Sequence, residues 1–131
     1  MIRSTALILT LGLVGCGLLP TQDYDNNEYE LLARIDTNAE IIQANCDNTE
    51  FVESRVPELE FDARLLHNYT FHIPSNTEVF EIAKILKDDA IQFKKQYEKG
   101  SGNPTYCNFK MKILRQKLND AMGAVAKKPR G

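Results

Sequence analysis

The chain has 131 residues, two His, three Cys and no Trp, with a formal net charge of −2. That length suits one ordinary domain with a modest core, and the small net charge conceals a split: residues 17–62 carry twelve acids against Arg34 and Arg55, or −10, whereas 63–131 carry +7. Such a split reads as two halves attracting each other within one fold, or as a basic patch for a polyanion.

The first twenty residues, MIRSTALILTLGLVGCGLLP, have a positive start at Arg3, a short apolar run from Ala6 to Val14, and the small residue Gly15 before Cys16. The run is well short of the ~20 residues that span a bilayer, and the order charge, apolar run, small residue is that of an export signal. The four residues Leu13-Val14-Gly15-Cys16 resemble the lipobox of bacterial lipoproteins. The resemblance covers these twenty residues and not the remainder of the chain. It implies cleavage between Gly15 and Cys16, removal of 1–15, and acyl chains of the palmitate kind on Cys16. In that class an Asp after the Cys favours inner-membrane retention. Here that residue is Gly17, which implies the periplasmic face of the outer membrane. The covalent lipid is the only prosthetic group expected.

Residues 16–27 read as the lipidated Cys and a flexible tether, 28–126 as a helical domain and 127–131 as a basic tail. Leu31, Ile35, Ala39, Ile42 and Cys46 form a first stripe with helical spacing,. Val52, Val56, Leu59, Ala63 and Leu66 form a second, interrupted by Pro57 and ended by Pro74,. Ser75 and Glu78 stand at capping-box positions, before a third stripe, Val79, Ala83, Leu86, Ala90, Phe93 and Tyr97. Gly100 is its natural stop. Asn103 and Pro104 suit N-cap and first helical position of a fourth stripe, Cys107, Met111, Leu114, Leu118, Ala121 and Val125.

Four stripes with short connections predict an all-α fold: an antiparallel up-down four-helix bundle, or a pair of helical hairpins, clamped by one disulfide. With Cys16 assigned to lipid, Cys46 and Cys107 remain, and in an exported protein two remaining cysteines pair by default. An up-down bundle puts the end of helix 1 beside the start of helix 4, so the same pole receives both. It also sets acidic helices 1 and 2 against basic helices 3 and 4.

Catalytic motifs are missing from the sequence: there is no HExxH, GxSxG, P-loop or GxGxxG,. His67 and His72 are five residues apart, about 140° around a helix, and cannot chelate one metal from one face. Glu53, Glu58, Glu60 and Asp62 read as a solvated acidic face, with Glu60 paired to Arg64. Glu30 with Arg34, and Lys84 with Asp88, read as further pairs at i,i+4.

Two binding surfaces are suggested. Tyr24, Tyr29, Tyr69, Phe71 and Phe80 lie off the stripes, and read as a bundle-end cap or a partner site. Lys110, Lys112, Arg115 and Lys117 with Lys127, Lys128 and Arg130 form a possible basic surface for anionic lipid or cell-wall polymer. The expectation is therefore a non-catalytic envelope binding module, not an enzyme. Its partners are the membrane, through the anchor, and an envelope protein or cell-wall polymer; no nucleic acid is expected. The alternatives are a lipoprotein of phage or mobile-element origin that modifies the host envelope, in lysis or superinfection exclusion, and an envelope hydrolase.

Overall fold

A computed structural model describes residues 23–130; the lipobox, Gly15 and Cys16 lie outside them. Four helices follow one another: α1 (Asn26–Ala44), α2 (Thr49–Phe71), α3 (Thr77–Glu98) and α4 (Pro104–Ala126). Each packs against its neighbours in sequence, and α1 also packs against α4, closing a four-membered ring. The fold is the all-α up-down bundle that the stripes predict.

The helix starts show how local chemistry sets the boundaries. Asp25 caps α1, its side chain accepting from the backbone N–H groups of Asn27 and Glu28. Asn26 and Asn27 therefore belong to the first turn and not to the tether. Asn48 accepts from Phe51 N, and Asn103 from Tyr106 N with Pro104 following, each satisfying a donor that has no partner inside the helix. The expected capping box at Ser75 is absent. Ser75 has a left-handed φ of 58°, the N-cap is Asn76, and its side chain makes no capping hydrogen bond among the described residues. The Asn76 amide is turned into the bundle instead. Pro57 lies inside an unbroken α2, and Gly100 ends α3 with φ 73°.

All residues of stripes two, three and four are buried. On α1 the seam is Leu32, Ile35, Ala39, Ile42 and Cys46, with Leu31 only packed against its edge. The spacings of four and three alternate along every helix, the 3.5-residue period of knobs-into-holes packing. Cys46 and Cys107 are joined by a disulfide, their Cα atoms 5.6 Å apart. They sit at the pole formed by the α1–α2 and α3–α4 connections. The opposite pole holds the start of α1, the α2–α3 connection and the end of α4. It is called the terminal pole below.

The charge split is internal. Arg115 on α4 donates to Asp36 and Glu40 of α1 at 2.9 and 3.3 Å, and Lys94 on α3 pairs with Glu60 of α2 at 2.7 Å.

Candidate interaction surfaces

At the terminal pole each stripe gains one polar member. Extending the seams by their own spacing leads to Glu28 on α1, Thr70 on α2, Asn76 before α3 and Lys128 after α4. Glu28, Thr70 and Asn76 are buried, and the Lys128 side chain is 14% exposed. Lys128 Nζ donates to Glu28 Oε1 at 2.8 Å and to Asn76 Oδ1 at 2.6 Å. Asn76 Nδ2 donates to the other Glu28 oxygen. The Thr70 hydroxyl donates to the His67 carbonyl at 3.1 Å. This layer is satisfied from all sides, the condition under which a buried charge is tolerated.

Around it the chain ends are fastened. Tyr24 N donates to the Pro129 carbonyl at 2.8 Å, and the Arg130 guanidinium lies 4.5 Å from the Tyr24 ring centroid, a cation–π contact. The Tyr69 hydroxyl donates to Asp25 at 2.8 Å, and burial raises its pKa. Residues 128–130 of the basic tail are thus fastened to the terminal pole.

Beside the polar layer is an aromatic group. Phe71 and Phe80 are 5.8 Å apart, and His67 stacks on Phe80 at 5.0 Å. Burial first, and the Lys87 charge second, lower the His67 pKa. Phe71 is 66% exposed. Phe71, Phe80 and Ile73 line an open groove of about 340 Å³ together with Asn76. Tyr24 and Tyr29 also meet at this pole, 6.1 Å apart. The off-stripe aromatics of the sequence are therefore brought together, whereas the acidic and basic sets are dispersed.

The basic set divides around α4. Arg115 turns to α1 and Lys117 to α3, where it meets Asp89 at 2.6 Å. Lys110 lies over Tyr106. Lys128 is in the polar layer, and only Lys112, Lys127 and Arg130 of the seven are exposed. Lys110 and Lys117, seven residues apart, fall on one flank of α4 and Lys112 and Arg115, three apart, on the other, so no single basic face results,.

The acids of α2 also separate. Glu58 pairs with Arg55, and Glu60 with Arg64 and Lys94; the hydrogen bond from Lys94 outweighs burial and lowers the Glu60 pKa. Asp62 is not on a solvated face. It is fully buried between α2 and α1, and burial raises its pKa despite Arg34. Arg34 Nε is 3.2 Å from Asp62 Oδ2, yet poorly aimed, so neither carboxylate oxygen has a hydrogen bond among the described residues. Arg34 thus pairs with Asp62 and not with Glu30, which accepts from Asn26 at 2.8 Å. One turn along, both amide atoms of buried Asn38 also lack partners among the described residues. Asn38 lines a groove of about 220 Å³ with Arg34, Arg55 and Glu58.

No group of three or more His, Cys, Asp or Glu is placed to hold a metal among the described residues, and none of their helices is long and apolar enough to cross a membrane. A scan against protein-family models and searches of curated proteins and of solved structures find no match to this chain.

Proposed function

We propose that the chain is a lipid-anchored protein of the bacterial envelope, acting by binding and not by catalysis. The observation that carries the reading is the Cys46–Cys107 disulfide. Two of three cysteines are used on each other, and the third, Cys16, follows Leu13-Val14-Gly15 at the end of an export-type stretch. A structural disulfide of this kind persists in oxidising compartments such as the periplasm. Gly17 in place of Asp supports the outer membrane as the destination. The partner is an envelope protein or a cell-wall polymer.

Replacing Cys16 by Ser tests the anchor. The expected result is loss of palmitate labelling, an unprocessed precursor, and loss of the stable acyl anchor from the membrane fraction after alkaline extraction. Lipid label retained on the Ser variant would sink the reading. Crosslinking in intact cells addresses the binding role: a specific adduct supports it, and hydrolysis of an envelope polymer by the purified protein overturns it.

A further inference from the structure

The terminal pole combines three features. It is where the described chain begins, at Asp23 and Tyr24. It carries the exposed ring of Phe71 beside Ile73 and Phe80. It lies a full helix length, about 35 Å for 23 residues, from the disulfide. Only seven residues lie between Cys16 and Tyr24, and eight residue steps reach at most about 28 Å even fully extended.

We infer that this pole docks on the bilayer holding Cys16, with Phe71, Ile73 and Phe80 entering the lipid interface and the disulfide pole facing away. The inference rests on the lipid-anchor reading above. A two-dimensional surface held this close meets the terminal pole continually, and apolar side chains, Phe among them, bury into the boundary between headgroups and acyl chains. Docking depends little on charge. Lys128 is neutralised by Glu28, and the exposed Lys127 and Arg130 are outnumbered at this pole by the exposed Asp23, Glu78 and Glu81, so no net positive patch faces the lipid. Binding therefore persists on zwitterionic lipid and in high salt, unlike that of a polybasic patch.

The test uses the full lipidated protein, reconstituted into phosphatidylethanolamine–phosphatidylglycerol vesicles containing brominated lipid. The sequence has no Trp, so Phe71→Trp and Phe109→Trp give single reporters. Both sites are exposed, at 66% and 59%, and sit at opposite poles. Docking gives a blue-shifted Trp emission at position 71, quenched at least twofold more by brominated lipid than that at position 109. The difference is unchanged between 0.05 and about 0.5 M salt, where charge contacts are screened. Equal quenching at the two positions overturns the proposal. So does a blue-shifted but unquenched emission at position 71 with a doubled sedimentation mass in detergent, which assigns the face to a second copy. A protein that carries no acyl chain by mass fails the anchor reading itself. An acylated protein that floats with vesicles but leaves position 71 unquenched fails only the docking.

Discussion

Lys128 Nζ lies 2.8 Å from Glu28 Oε1, across one hundred residues of sequence. The pair joins the first turn of the bundle to the residue after its cap at the other end of the chain, with Asn76 completing the layer. Removing one partner leaves a buried charge uncompensated, at a typical cost of 3–5 kcal/mol. Lys128→Met is expected to lower unfolding stability by about that much in a urea titration. The triple change Glu28→Leu, Asn76→Leu, Lys128→Met is expected to cost less than the single one, because no orphan remains. A triple variant weaker than the single variant would show that the layer contributes more than mutual satisfaction.

The disulfide at the other pole closes a sequence separation of 61 residues. In the chain-entropy model this stabilises by about 4 kcal/mol. The Cys46→Ser, Cys107→Ser double variant is expected to melt roughly 15–30 °C lower, taking 4–8 °C per kcal/mol for a domain of this size, while helical circular dichroism at 10 °C is retained. Indistinguishable melting of the two proteins would contradict the assigned loop closure.

Asp62 tests the polar seam between α1 and α2. Burial raises its pKa above the usual 3.8, so the folded state holds this proton more tightly than the unfolded state does. Its contribution to stability therefore rises as pH falls toward 3.8 and is lost as pH rises through the folded pKa. Asp62→Asn removes the charge. At pH 7 it is expected to stabilise by on the order of 1 kcal/mol, a gain that shrinks toward zero near pH 4. A gain independent of pH, measured by urea unfolding at several pH values, would refute buried ionisation as the cause.

Two glycines give opposite expectations for the same substitution. A Cβ at Gly102 would lie 2.5 to 2.7 Å from the Tyr97 ring, and that ring is held by Phe93 at 4.9 Å. Gly102→Ala is expected to destabilise by about 1–3 kcal/mol through overpacking. Gly123, inside α4, has nothing among the described residues within 4 Å of a Cβ, and Gly123→Ala is expected to stabilise by about 0.5–1 kcal/mol. Thermal melts of the two variants, shifted in opposite directions, check the pair.

The helical stripes were legible because burial on one face of a helix leaves a periodicity that needs no partner to be seen. Cys46 and Cys107 were legible because they end one stripe and begin another at matching ends. Asn103-Pro104 was legible because cap chemistry is local. At Ser75 the same locality misleads: its capping-box spacing is local, but Asn76 is held by Glu28 and Lys128, contacts made 48 and 52 residues away. Glu28 and Lys128 carried an overlooked signal, since each continues its stripe at the correct spacing with a charge in place of an apolar side chain. Asp62 carried a weaker signal, three residues after Leu59 and four before Leu66, but Ala63 already fills that turn of the stripe, and the burial of Asp62 depends on how closely α1 approaches α2.

The sequence alone determined the number and order of the helices among the described residues and the cysteines available for pairing, since periodicity, caps and chain connectivity are one-dimensional properties. The tertiary structure decided which charges are buried, which basic side chains turn toward acids on other helices, and which aromatics gather at one pole. Those outcomes depend on distances between helices far apart in the chain, and desolvation and Coulomb energies act on those distances alone.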